Sequence, residues 1–335
     1  MRLSRSRWTI AGIGAVVVIV LTTMLLIRPS GPPAAARVAT HRVVAGDSRK
    51  APWYGLHLLQ DHLDFTGDPS AVPPPNTAVA GILVDLDTHR ILWQRNPHEQ
   101  LPPASTIKLL TSMVVLQNFS PNQLITATPD ALFTAGDETK MHIDPGEKLT
   151  VQELMTGLLM VSANDAADVL AVKTVGMERF VGAMNAQAAA LGLRDTHATS
   201  PVGLDDPDMH SSAYDLAVLA ALDYKHWPLF RNIVATEHTV LPASDLHGLF
   251  DLTNVNELLT LYPAAVGIKT GYTGDAGDCL VGMAVRDGHR LLTVVLGVPT
   301  LVFTQTRQLL DWGFTQEGLP SQLPPSAHPP GAPPA

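Results

Sequence analysis

The first apolar run, residues 8–27 (WTIAGIGAVVVIVLTTMLLI), contains no charged residue. Twenty helical residues rise about 30 Å, the hydrocarbon thickness of a bilayer, so the run is predicted to span a membrane. Arg2, Arg5 and Arg7 precede it and only Arg28 closely follows. That bias leaves residues 1–7 in the cytoplasm and sends everything after residue 27 outside. The small residues at 34–36 (AAA) offer an alternative, a cleaved signal peptide with its processing site near Ala36. Hydrophobic periodicity then disappears over most of 28–76, where RPSGPPAAAR and VPPPN read as a Pro/Ala-rich linker and WYGLHLLQDHL between them is a piece able to dock on the body at a place the sequence does not give. It disappears again after 319, where the uncharged tail PSQLPPSAHPPGAPPA (320–335) is predicted to be disordered. The folded unit is therefore expected at 77–319.

Inside that unit the period changes from two to 3.6 and back. GILVDLDTHRILWQRN gives two strand-like runs around a polar turn, a hairpin. Helical patterns follow: one opening near Ser105, then VQELMTGLLMV, NDAADVLAVKTV, ERFVGAMNAQAAALGL ended by Gly192, and SAYDLAVLAALDY with Ser212 placed as its N-cap. Strands return in HTVL, in the run into VGIKTGYT, in CLVGMAV and in HRLLTVVLG. The last two are joined by Asp287-Gly288, a two-residue hairpin signal. VFTQTRQLLDW closes the unit as an amphipathic helix. Strands at both ends with helices between predict an α+β fold: one antiparallel sheet flanked by helices, with an inserted helical subdomain and a cleft between the two.

Composition narrows the function. The 335 residues are 46% hydrophobic and 16% charged, enough for a large core. The net charge is −9 and the only basic cluster is in residues 1–7, which argues against a nucleic-acid surface. Cys279 is the single cysteine, so no intramolecular disulfide framework exists. The 13 histidines fall in no metal-binding pattern, and neither a metal nor a cofactor is expected.

Three short motifs carry candidate chemistry. PPASTIKLLTS places Lys108 three residues after Ser105, on one helix face, where a lysine shifted towards its neutral form takes the hydroxyl proton. The competing reading makes Ser105 a helix cap and Lys108 a solvated side chain. VSANDAA sets Ser162 and Asn164 between two helical patterns, either aimed into a cleft or capping a helix. GIKTGYTGDAG offers Lys269, Thr270 and Gly271 at the end of a strand, with the glycine permitting close backbone approach; an edge strand ending in a turn reads equally well in isolation. Ser120-Pro121-Asn122 imitates the second motif but lies about 22 Å down the helix from Ser105. KTV at 173–175 imitates the third without its glycine.

In the order Ser-x-x-Lys, Ser-x-Asn, Lys-Thr-Gly, the chain resembles the penicillin-recognising serine acyl-transferases. PPASTIKLLTS, LLMVSANDAADVLA, PVGLDDPDMHSSAYDLA, LTNVNELL and GIKTGYTGDAG also follow the order of the low-molecular-mass penicillin-binding proteins, the serine-type D-alanyl-D-alanine carboxypeptidases. The resemblance implies a β-lactamase/transpeptidase-like fold and a stem peptide of peptidoglycan ending in D-Ala-D-Ala as substrate, with β-lactam antibiotics as covalent inhibitors. Ser105 is then the nucleophile, Lys108 its base and Ser162 the relay to the departing amine. Asn164 holds the peptide, Lys269 and Thr270 bind the free carboxylate, and Gly271 opens the strand. The backbone N–H groups of Ser105 and Tyr272 form the oxyanion hole. Burial and the charge of Lys269 are expected to lower the Lys108 pKa. The family often carries Gly where this chain has Ala163, and a basic residue near the NVN segment, where Val255 and Glu257 stand. A β-lactamase is the first alternative, but no matching second base (Glu-x-x-Leu-Asn) is found. A non-catalytic penicillin-binding or wall-sensing module is the second, opposed by the intact motifs.

Overall fold

The expected terminal hairpin forms as β1 (Ala80–Asp85) and β2 (Arg90–Arg95) in the computed structural model, which describes residues 56–132 and 138–324. The chain continues through a short 3-10 turn (Ala104–Ile107), α1 (Lys108–Asn118), β3 (Leu124–Thr126), β4 (Lys148–Thr150), α2 (Val151–Met160), α3 (Asn164–Thr174), α4 (Met177–Ala190), α5 (Ala213–His226) and α6 (Pro228–Val234). Then come β5 (His238–Leu241), β6 (Phe250–Thr253), α7 (Leu258–Leu261), β7 (Ala265–Thr273), β8 (Gly277–Arg286), β9 (His289–Val298) and α8 (Val302–Gln316). Strands from both ends make one antiparallel five-stranded sheet in the order β2-β1-β9-β8-β7. The expected α+β class with a helical insertion is what the chain adopts.

Sheet burial explains why the strands read as continuous apolar runs rather than alternating ones. Ile82, Val84, Leu292 and Val294 join the core shared with the inserted helices. Leu83, Leu291 and Val295 project the other way, onto Leu309, Leu310 and Phe314 of α8. A strand covered on both faces needs apolar residues at every position. The β8–β9 connection is the predicted two-residue turn: Asp287 and Gly288 both take positive φ (47° and 89°), the requirement of a hairpin turn that matches strand twist. In the insertion, Ser212 caps α5 by accepting from the Asp215 N–H (3.2 Å), as expected. Thr150 and Glu153 form a capping box at the start of α2, holding the direction in which that helix enters the core.

Several boundaries differ from expectation. HTVL is indeed a strand, β5, but it pairs with β6 in a separate two-stranded ribbon rather than in the main sheet. The residues assigned to the linker from 56 onward are bound to the body. Leu59 and Phe65 are buried, and the Leu59 N–H and carbonyl bond the Gln187 side chain (2.8 and 3.1 Å). Asp61 pairs with Lys225 and His226, the Phe65 N–H donates to the Tyr214 hydroxyl, and Thr66 bridges Arg90 at the free edge of β2. At the other end, residues 320–323 are likewise held. The Pro320 carbonyl accepts from Arg286, and the Ser321 hydroxyl and Gln322 N–H donate to Asp311. The segment expected to span a membrane, 8–27, lies outside the described residues; among those described, no helix is long and apolar enough to cross one.

Candidate active site

Pro102 and Pro103 bring the chain into the insertion, and Ala104 takes φ 48° before the 3-10 turn that carries Ser105. No side chain caps this turn or α1, which removes the capping reading of Ser105. Lys108 begins α1 and is completely buried, which removes the solvated reading. Its Nζ lies 2.9 Å from Ser105 Oγ, 3.0 Å from the Ser162 carbonyl, 3.3 Å from Ser162 Oγ and 2.5 Å from Asn164 Oδ1. Ser162 sits in the elbow between α2 and α3 with φ 59°, a conformation that turns both its carbonyl and its hydroxyl towards Lys108. Ala163 has φ −57°, so the departure from glycine there carries no strain.

Burial lowers the Lys108 pKa to about 7, against the opposing pull of the Asp168, Glu138 and Asp165 carboxylates. Burial first and the charge of Lys108 second push Lys269 well below the lysine range, and because repulsion between two amines is mutual, each disfavours the ammonium form of the other.

The third motif lies on β7, the edge strand of the sheet. Lys269 is buried and donates to the Thr270 carbonyl (2.9 Å); Thr270 is half-buried and Tyr272 is exposed at the rim. Gly271 lets this strand reach the nucleophile: a Cβ there would lie 3.0 Å from both Ser105 N and Ala104 Cβ. The three motifs therefore converge, as predicted. The decoys do not. Ser120 is exposed beyond the end of α1, and Lys173 lies in α3 and pairs with Asp130.

The Asn164 Oδ1 accepts from Lys108 and its Nδ2 donates to Glu138 Oε2 (2.8 Å), so both ends of the amide are engaged by neighbouring side chains. Glu138 lies in a polar stretch with no periodicity and was not legible as a site residue. Nor was Gly203, at φ 86°, which packs directly on the Ala104 carbonyl, or the Val202 carbonyl, which accepts from Ser105 Oγ (3.4 Å). A cavity of about 500 Å³, lined by Leu101, Pro102, Asp205, Asp206, His210 and Asp275 among others, opens beside the nucleophile's loop. Away from this site, Asp85, His289 and Glu317 bring ligand atoms within 4.8 Å of one another where β1, β9 and α8 meet. Asp85 there already accepts from the Asp87 N–H and the Thr88 hydroxyl, and Glu317 faces Arg90.

Comparison with known proteins places this geometry. The family model described as D-alanyl-D-alanine carboxypeptidase (Peptidase_S11) matches residues 69–300. The chain is 39% identical over 249 residues to the D-alanyl-D-alanine carboxypeptidase DacB2 of Mycobacterium tuberculosis, covering 72% of this chain and 84% of that protein. It is 32% identical over 247 residues to DacF of Bacillus subtilis, covering 71% of this chain and 62% of that one. Among solved structures, a D-alanyl-D-alanine carboxypeptidase from Mycobacterium tuberculosis superposes with a TM-score of 0.69 at 36% identity, covering 78% of this chain and 98% of that one. A DD-transpeptidase from Streptomyces gives 0.68 at 27% identity, covering 73% and 100%.

Proposed function

The chain belongs to the D-alanyl-D-alanine carboxypeptidase family, and from that premise we propose how its residues divide the reaction. It is a serine-type carboxypeptidase that removes the terminal D-alanine of a stem peptide through an acyl-enzyme on Ser105. The observation that carries this assignment is the buried Lys108 amine 2.9 Å from Ser105 Oγ.

Lys108, neutral over much of the working range, takes the Ser105 proton as Oγ attacks the carbonyl between the two D-alanines. The proton passes by way of the Ser162 hydroxyl to the departing amine, D-alanine leaves, and water then hydrolyses the ester. The oxyanion is held by the backbone N–H groups of Ser105 and Tyr272, a reading supported by the close approach of β7 to Ser105 N at Gly271. One such donor stabilises the transition state by about 3 kcal/mol. Lys269 and Thr270 bind the free carboxylate of the substrate. The arriving anion supplies the opposite charge that Lys269 lacks and favours its ammonium form, which ties charge at this site to a chain end rather than an internal bond. The arginines ahead of residues 8–27 support an extracytoplasmic catalytic domain, tethered by that segment or released by processing near Ala36. The wall is where such a stem peptide is found.

Two assays test the reading. The purified enzyme is expected to release D-alanine from a stem-pentapeptide mimic, and mass spectrometry after penicillin treatment is expected to map one covalent adduct to the peptide containing Ser105. Adduct without D-alanine release would reduce the protein to a penicillin-binding sensor. Rapid drug destruction would make it a β-lactamase.

A further inference from the structure

We propose that Glu138 is a positioning residue that acts through Asn164. Its carboxylate takes the amide N–H (2.8 Å) and thereby turns the amide oxygen onto Lys108. This inference rests on the acyl-enzyme reading and deepens it.

The argument is a count of donors and lone pairs. A neutral amine has two N–H groups and one lone pair. Around Lys108 Nζ, the Ser162 carbonyl (3.0 Å) and Asn164 Oδ1 (2.5 Å) can only accept. They take the two N–H groups, and the lone pair is left for the hydroxyls of Ser105 (2.9 Å) and Ser162 (3.3 Å). Turned end for end, the Asn164 amide would present its NH2 to Lys108, bind the lone pair and disable the base. A carboxylate is acceptor-only, so Glu138 opposes that flip with a charge-assisted hydrogen bond.

Glu138 is itself held in place by its neighbours. The Asn164 N–H donates to the Thr139 carbonyl (2.8 Å), and the Met141 and Ile143 N–H groups donate to Asp165 (3.0 and 3.1 Å). Residues 138–143 are thus pinned to the first turn of α3, the element that carries Asn164. Among the described residues, the charged groups acting at Lys108 are Asp165 and Asp168 on α3, Glu138 itself and Lys269 on β7. Removing the Glu138 charge withdraws one of the carboxylates that favour the ammonium form of Lys108, so the base stays neutral to lower pH.

The test is the acylation rate of a fluorescent penicillin, followed from acid to alkaline pH for wild type, Glu138→Gln and Glu138→Ala, with melting curves on each. Both variants are expected to acylate roughly ten- to a hundredfold more slowly at neutral pH, as a misplaced catalytic group does. The acid-side midpoint should move to lower pH. Glu138→Gln keeps the shape of the side chain but can donate as well as accept, so it loosens the lock without emptying the site and carries the test if the alanine variant does not fold. A Glu138→Gln enzyme with the wild-type rate and midpoint overturns the proposal. So does one whose rate falls only in step with its folded fraction. A wild-type enzyme that takes no penicillin overturns the acyl-enzyme reading and this inference together, and the wild-type trace alone distinguishes that failure.

Discussion

Lys108→Met is expected to acylate with penicillin roughly 10²–10⁴-fold more slowly than wild type although Ser105 is untouched, the range a positioned general base contributes. The methionine fills the volume of a fully buried side chain but has no lone pair basic enough to take the Ser105 proton. Stability should not fall in proportion. The substitution strands the Ser162 carbonyl and Asn164 Oδ1, which costs about 1–3 kcal/mol each, and removes a desolvated amine, which offsets part of that. The sign of the pH dependence separates the two effects further. With Lys108 depressed to about 7 in the folded state, the unfolded chain holds the extra proton between there and the ordinary lysine range, so this group makes wild-type stability rise with pH across that window. Lys108→Met should lose that contribution, read by thermal melts at neutral and alkaline pH. A methionine variant that acylates normally would remove the lysine from the mechanism.

Gly203→Ala is expected to be the most damaging single-methyl change near the site. At φ 86° an L side chain is strained, and its Cβ would lie 2.0 Å from the Ala104 carbonyl oxygen, 2.6 Å from that carbonyl carbon and 2.8 Å from Ile107 Cγ2. These atoms are backbone or well packed, so the turn carrying Ser105 must move. A cost of about 3 kcal/mol follows from overpacking together with the unfavourable φ, and at roughly 2–4 °C per kcal/mol for a domain of this size the melting temperature should fall by about 6–12 °C. The fraction that remains folded should acylate about a hundredfold more slowly, because a shift near 1 Å in a nucleophile costs that much. Calorimetry and the acylation rate together check both. Wild-type values for each would mean the loop at 201–204 does not support the nucleophile.

The residues legible in the sequence were those whose chemistry demands one side-chain type at fixed local spacing. Ser105 and Lys108 share a helical turn, Ser162 and Asn164 share an elbow, and Lys269 precedes the glycine that lets β7 approach. The main-sheet strands and long helices were legible for a related reason, since period and turn chemistry are local. What escaped depends on partners far away in the chain. Residues 56–66 dock through the side chains of Asn118, Gln187, Tyr214 and His226, and although WYGLHLLQDHL suggested docking, nothing in its composition says where. Glu138 matters only because folding brings it to Asn164, 26 residues on. The cause of the Lys108 shift was anticipated only in part: burial was expected, but the opposing carboxylates of Asp168, Glu138 and Asp165 reach Lys108 only through the fold. The short β3–β4 ribbon, the strand β6 that pairs with β5, and the four-residue α7 carry too few residues for periodicity to register.

The central claim is that Lys108 is a buried amine, neutral near physiological pH, that deprotonates Ser105. The most direct measurement of it is the pH dependence of the acylation rate constant with penicillin in the wild-type enzyme. The rate is expected to rise through a midpoint near 7 that is missing from the residual activity of Lys108→Met. A rate that climbs only on approach to the ordinary lysine range, about 10.4, or a midpoint that persists in the methionine variant, would contradict it.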